Sequence, residues 1–171
     1  MLLLKILAIF DFLIIKIGGQ MLTDVIKLNR FKESETKIPL FLSEIQAGFP
    51  SPADDYLEEF LSLDDICISN PSSTILGRIK GNSLNDVLIY EGDIVIIDKS
   101  LKPQHRDLVV CAIDGEFTAK ILHIEMVGIK LVAANPKFKP IIITEFADFR
   151  IWGVIIYVIQ NIKNRSHDWN Y

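Results

Sequence analysis

The strongest constraint on the fold is a series of short apolar runs that begins at residue 74 and continues almost to the C-terminus. The runs are rich in β-branched residues and end at turn-forming residues, a pattern typical of β-strands. Between two of them, Asp114-Gly115 predicts a tight hairpin turn. No long helical pattern separates the runs, so the sequence predicts a mostly-β body. The seven runs are TILGRIK, DIVIID, DLVVCAI, EFTAKIL, GIKLVAA, PIIIT and IWGVIIYVI.

A short helix is predicted immediately before this body. Residues 47–52 carry two prolines, which favour an extended chain, and a helix start follows. Ser51 is suited to cap the helix, Pro52 to occupy its first turn, and Asp54 to close a capping box. Four residues would form the apolar face of this helix: Tyr56, Leu57, Phe60 and Leu61.

The N-terminal region has two parts of opposite character. Residues 1–20 carry roughly two thirds of the positive hydropathy of the chain, whose mean hydropathy is +0.32. Within them, residues 2–17 hold twelve large apolar residues, interrupted by Lys5, Asp11 and Lys16. Two explanations stay open: a membrane anchor or amphipathic helix, for which Asp11 makes insertion marginal, or a segment upstream of a true translation start at Met21. A secretory signal fits less well, because no A-x-A cleavage motif follows. Residues 21–46 are polar and aperiodic, which predicts a flexible arm.

The net charge and the spacing of the cysteines and histidines argue against a nucleic-acid-binding surface and a metal site. The formal net charge is −4, which argues against a protein that grips nucleic acid through a broad basic surface. Cys67 and Cys111 lie in apolar surroundings, which favours buried, reduced thiols. The three histidines, His105, His123 and His167, have no metal-ligand spacing. We therefore expect neither a metal site nor a cofactor.

One serine and one lysine fit hydrolytic chemistry. Ser83 lies in a glycine-containing turn after a strand, where its hydroxyl and its backbone N–H can both be presented to a substrate. Lys120 lies in a strand on the same side as Thr118. Burial of that side would lower the pKa of Lys120, and a neutral amine can accept the proton of a serine hydroxyl. By themselves these two residues do not separate a catalytic pair from an ordinary turn serine and a solvated lysine.

Longer motifs around these residues resemble the LexA/UmuD family of self-cleaving Ser-Lys proteases, the S24 class. The resemblance extends from about Ile38 to Ile162 and includes the separation of 37 residues between Ser83 and Lys120. Its motifs are, in order, AGFPSPADDY, GNSL, EGDIVIID, DGEFTAK, NPKFKPIII and WGVIIYVI. It implies a β-clip body like that of LexA and signal peptidase, with a short N-terminal helix and a flexible arm.

The resemblance also implies roles for individual residues. Ser83 would be the nucleophile, Lys120 the general base, and the bond between Ala47 and Gly48 the one that is cut. The chain would then divide into an apolar extension (1–20), a removable arm (21–47), a protease-like β domain (48–163) and a polar tail (164–171). Leu84 departs from the family pattern, which usually has methionine after the serine. Both side chains are apolar and similar in volume, so we expect the site to tolerate leucine.

The branch of the family determines the partners that the resemblance implies. Residues 21–46 are too short and too aperiodic for the DNA-binding domain of a repressor, which favours the UmuD-like branch. For that branch the implied role is a cytoplasmic homodimer of the SOS response. RecA filaments would stimulate its cleavage, and the processed form would serve an error-prone Y-family DNA polymerase as accessory subunit in translesion synthesis. No direct sequence-specific DNA binding is expected. Two alternatives are a membrane-anchored, signal-peptidase-like Ser-Lys protease and a binding module that does not cleave.

Overall fold

The computed structural model describes residues 36–41 and 58–164, and these fall into two compact units. The smaller unit contains the described residues up to 72, and the larger unit contains residues 73–164. The apolar extension, the Ala47–Gly48 bond and the polar tail beyond residue 164 lie outside the described residues. Within the part that is described, no helix is long and apolar enough to cross a membrane.

The smaller unit consists of a two-stranded antiparallel sheet and one short helix. Strand β1 (Ile38–Phe41) pairs with β2 (Glu58–Leu61), so that Phe41 lies opposite Glu58. Helix α1 (Leu63–Cys67) follows directly. Ser62 caps it: the backbone N–H of Asp65 donates to Ser62 Oγ at 3.1 Å, and the Ser62 N–H donates to Asp65 Oδ2 at 2.9 Å. This bond from the Ser62 backbone lowers the pKa of Asp65.

The predicted helix does not extend over residues 58–61. Residues 58–61, assigned from the sequence to its C-terminal half, form strand β2, and Phe60 is exposed rather than part of an apolar helix face. An S-x-x-D pattern lies on each side of this segment, one at Ser51 and one at Ser62. The second begins the observed helix, because residues 58–61 pair with β1 and cannot also continue a helix. Ser51 to Asp54 lie outside the described residues.

The larger unit is an antiparallel sheet of seven strands in the order β3-β4-β9-β5-β6-β7-β8. Each of the seven apolar runs overlaps one strand, so the predicted β body is confirmed. The C-terminal strand β9 lies between β4 and β5 and pairs with both through a bulge. The bounds are β3 (Thr74–Arg78), β4 (Ile94–Asp98), β5 (Leu108–Ile113), β6 (Glu116–Glu125), β7 (Gly128–Val132), β8 (Ile141–Ile142) and β9 (Phe149–Ile159).

The turn between β5 and β6 is the predicted tight hairpin. Asp114 has φ 49° and Gly115 has φ 87°, and Ile113 lies opposite Glu116. Two successive positive φ values are the requirement of a type I′ turn, which is why Asp-Gly is favoured there. The register that follows places Val109 opposite Lys120.

Both faces of the sheet are packed with apolar side chains, and strand β6 contributes to both. Leu122 belongs to a buried cluster on one face, while Ala119 and Ile121 pack on the opposite face. Lys120 alternates with Leu122, so its side chain starts on the face of the first cluster. That cluster comprises Val109, Cys111, Leu122, Ile129, Leu131, Phe149 and Val154. The clusters of the other face comprise Leu84, Ile89 and Ala134, and Val95, Ile97 and Ile155.

Candidate active site

Lys120 is a buried lysine whose amine is surrounded by three oxygen atoms. The residue is only 9% exposed. Its Nζ lies 3.1 Å from Ser83 Oγ, 2.8 Å from Thr118 Oγ1 and 3.0 Å from the backbone carbonyl oxygen of Ala119. The structure therefore brings together the serine and the lysine that the sequence singled out, although 37 positions separate them.

The surroundings of Lys120 favour its neutral form. Burial lowers the pKa of Lys120 below its ordinary value of 10.5, because the charged amine loses its hydration. Within the described part of the chain, no carboxylate forms an ion pair with it. The neighbouring Cys111 raises the pKa of Lys120 only when its thiol is ionised. Burial raises the pKa of Cys111 to about 12, so at neutral pH this thiol is uncharged and does not stabilise a lysine cation.

The three oxygens match the hydrogen-bonding capacity of a neutral amine, which has two N–H groups and one lone pair. The Ala119 carbonyl can only accept, so it takes one N–H. The Thr118 hydroxyl, which is nearest, takes the second N–H. In the neutral amine the lone pair is then left to accept from the Ser83 O–H, whose oxygen lies 3.1 Å from Nζ. This is the arrangement that a general base needs before it removes a serine proton.

Ser83 is presented by a turn whose next residue is anchored in the core. Gly81 opens the turn with φ 83°, a conformation that favours glycine. Leu84 is 1% exposed and packs with Ile89 and Ala134. A short 3-10 helix, Asn85–Val87, then follows. Since Leu84 is fixed in the core, the side chain of Ser83 is held towards Lys120.

The backbone N–H of Ser83 is available for a ligand. Among the described residues, no group accepts a hydrogen bond from it. A backbone N–H beside the nucleophile is a typical donor to the oxyanion that forms during acyl transfer. One residue of the turn therefore presents both a hydroxyl and a backbone N–H, the two groups that acyl transfer requires of a serine.

The other residues considered from the sequence lie elsewhere or outside the structure. Ala47, Gly48 and His167 are outside the described residues. Cys111 is a buried free thiol, as expected, whereas Cys67 is half-buried at the end of α1. The exposed His105 accepts a hydrogen bond from the backbone of Ile124, and its ring lies 5.0 Å from that of His123.

Sequence reasoning missed two residues of the site. Thr118 was placed on the correct side of the strand, but its hydrogen bond to Lys120 was not predicted. The i, i+2 spacing in a strand was the signal that could have found it. The sequence assigns no role to Asn135, yet its side chain donates to the carbonyl of Asn82, beside Ser83. No local pattern indicates that contact, because 53 positions separate the two residues.

The chain is similar to a family of peptidases over most of its length. Residues 39–156 match the family described as Peptidase S24-like. The chain is 40% identical to Protein ImpA of Salmonella typhimurium over 126 residues. The matched region covers 73% of this chain and 85% of ImpA. It is 39% identical over 134 residues to Protein SamA of Salmonella typhimurium, with coverage of 78% and 91%. It is 37% identical over 121 residues to Protein MucA of Escherichia coli, with coverage of 70% and 82%.

Proposed function

The chain belongs to the peptidase S24-like family of autocatalytic serine peptidases, among UmuD-like proteins such as ImpA, SamA and MucA, and on that premise we propose that it cuts its own backbone between Ala47 and Gly48. In this proposal Ser83 is the nucleophile and Lys120 the general base. The observation that carries it is the 3.1 Å contact between Ser83 Oγ and a buried amine whose pKa is lowered by burial.

The reaction begins with the neutral amine. Lys120 Nζ takes the proton from Ser83 Oγ while this oxygen attacks the carbonyl carbon of Ala47. The negative charge that develops on the carbonyl oxygen is stabilised by the backbone N–H of Ser83. The carbon–nitrogen bond then breaks, and the Lys120 ammonium returns its proton to the amine of Gly48.

Water completes the reaction. The first half leaves Ala47 joined to Ser83 Oγ as an ester. Lys120 is neutral again, so it can take a proton from a water molecule that attacks the ester. The ester bond breaks, Ser83 recovers its proton, and the fragment that ends at Ala47 is released with a carboxylate. Thr118 and the Ala119 carbonyl hold the amine in place in both halves.

The sequence around the bond suits an intramolecular substrate. Pro50 and Pro52 favour an extended backbone, which can be laid into a cleft like a β-strand. The side chains of Ala47 and Gly48 are small, so the peptide can approach the serine closely. A substrate on the same chain has a high effective concentration and needs little affinity of its own.

We further propose the cellular role that this branch of the family implies. The protein would act in the cytoplasm as a homodimer in the SOS response, with cleavage promoted by RecA filaments on single-stranded DNA. The fragment that starts at Gly48 would then assist an error-prone Y-family DNA polymerase during translesion synthesis. The net charge of −4 fits a subunit that binds proteins, and whose link to DNA runs through its partners. Addition of RecA filaments at neutral pH is expected to accelerate cleavage, whereas filaments that leave the rate unchanged would contradict this part of the proposal.

The test of the cleavage mechanism is the intact mass of the purified chain during incubation at alkaline pH. Wild type is expected to yield two fragments, residues 1–47 and 48–171, while Ser83→Ala and Lys120→Ala stay whole. The exposed Ser72 and Lys139 provide matched controls, Ser72→Ala and Lys139→Ala, which should be cut like wild type. Equal cutting of wild type and Ser83→Ala, or no cutting of wild type, would refute the mechanism.

A further inference from the structure

The turn that carries Ser83 is held on both sides by a single neighbouring segment. The side-chain amide of Asn135 donates through Nδ2 to the carbonyl oxygen of Asn82 at 2.8 Å. The backbone N–H of Asp86 donates to the carbonyl oxygen of Ala134 at 2.8 Å. One contact precedes Ser83 and the other follows it. Residues 134 and 135 therefore fix the conformation of the turn between these two points.

The orientation of the Asn135 amide is determined by its second hydrogen bond. The backbone N–H of Lys137 donates to Asn135 Oδ1 at 3.0 Å. Since a backbone N–H can only donate, the oxygen of the amide must face Lys137 and the nitrogen must face Asn82. Asn135 is 8% exposed, so water cannot readily replace either bond.

The carbonyl held by Asn135 belongs to the same peptide unit as the N–H of Ser83. A peptide unit is planar and trans, so its C=O and its N–H point in opposite directions. When Asn135 holds the carbonyl of Asn82, it also sets the direction of the Ser83 N–H, which no described group accepts. The same plane determines where the Cα of Ser83 lies, and hence the approach of its hydroxyl to Lys120.

We propose that Asn135 is a positioning residue for the cleavage reaction. It fixes the peptide plane between Asn82 and Ser83, and so aims both the Ser83 hydroxyl and the Ser83 N–H at the carbonyl that is attacked. This role rests on the proposed self-cleavage. It does not require Asn135 to touch the substrate or Lys120, and Asn135 makes no hydrogen bond to Lys120 in the structure.

The kinetic test compares the full pH–rate profile of self-cleavage in wild type, Asn135→Ala and the control Asn161→Ala, which changes an exposed asparagine after β9. In Asn135→Ala the plateau rate at high pH is expected to fall about 10- to 100-fold, less than the loss of an entire oxyanion donor. The midpoint of the profile should stay where it is, since the amine of Lys120 keeps its own partners. A merely structural role would instead let water reach Lys120 and move the midpoint upward. An unchanged plateau, or a midpoint that moves upward, would overturn the proposal.

A second measurement keeps the test independent of cleavage. In amide NMR spectra of full-length chains that also carry Ser83→Ala, Asn135→Ala is expected to shift and broaden the resonances of residues 82–86. Asn161→Ala should leave them unchanged. Unaltered resonances of these residues in Asn135→Ala would overturn the positioning role. If wild type fails to cut but the resonances move as expected, the proposed function fails while the control of the turn by Asn135 stands.

Discussion

The replacement of Thr118 by valine removes one of the three partners of Lys120 and keeps the shape of the side chain. The hydroxyl lies 2.8 Å from Lys120 Nζ and is the nearest of the three oxygens. It accepts a hydrogen bond from the amine in both protonation states, but the bond to an ammonium group is stronger. Thr118→Val should therefore have two separate effects: it should lower the pKa of Lys120, and it should lower the maximal rate of cleavage.

The two effects can be estimated from general hydrogen-bond energies. A bond from a charged donor contributes about 1.5–3 kcal/mol and a neutral bond about 0.5–1.5 kcal/mol, so the charged form of Lys120 loses about 1 kcal/mol more. That difference raises the ratio of neutral to charged amine about fivefold and moves the pKa of Lys120 further down. At high pH, where the amine is neutral in both proteins, the loss of one orienting bond is expected to slow cleavage about tenfold.

The assay is the first-order rate of self-cleavage measured across the pH range by intact mass. Thr118→Val is expected to show a lower plateau and a midpoint at lower pH, so its deficit shrinks as pH falls. Thr118→Ser is the matched control, because it keeps the hydroxyl and should follow wild type within about twofold. A midpoint that moves to higher pH, or an unchanged plateau, would refute the assignment of Thr118 as a partner that orients the amine.

Three further predictions concern stability, each measured by urea unfolding. Lys120→Met should raise the free energy of unfolding at pH 7. The pKa of Lys120 is lower in the folded than in the unfolded chain, so the unfolded chain binds more protons and wild type gains stability as pH rises from the folded value towards 10.5. The advantage of methionine should therefore shrink at pH 10, and a constant advantage would contradict this. Leu84→Ala should lower stability by about 2–4 kcal/mol because Leu84 is 1% exposed, while Leu84→Met should cost less than about 1.5 kcal/mol. Gly153→Ala should cost about 1–3 kcal/mol or more, since its Cβ would lie 2.7 Å from the backbone oxygen of Asp98. If Gly153→Ala were as stable as wild type, strands β4 and β9 would be able to move apart at little cost in free energy.

The strands of the larger unit could be predicted because their signals are local. Each has β-branched residues in short runs, and the turn at Asp114-Gly115 needs two positive φ values that this dipeptide supplies. The side of β6 on which Lys120 lies follows from the alternation of a strand. These parts of the site required no knowledge of distant residues.

The missed features depend on contacts between residues far apart in the chain. Strands β1 and β2 have four residues each, and neither is distinctive before the two are paired. The capping patterns at Ser51 and Ser62 look equivalent in the sequence, which does not show that residues 58–61 pair with β1 and that a helix begins after Ser62. Asn135 acts on a peptide 53 positions away. The secondary-structure propensity of a short stretch of sequence carries no information about contacts with distant residues.

The burial of Lys120, the proposed general base, depends on the hairpin between β5 and β6 as much as on the atoms around its amine. Lys120 is buried because the register of β5 and β6 sets it opposite Val109, which is 0% exposed. A shift of this register by one residue would turn Lys120 to the opposite face, and the position now held by Ala119 would face the first cluster. The register is fixed by the two-residue turn at Asp114 and Gly115, whose conformation permits one pairing of the flanking strands. A turn that has no part in the chemistry thus determines that the lysine meets Ser83 as a desolvated amine.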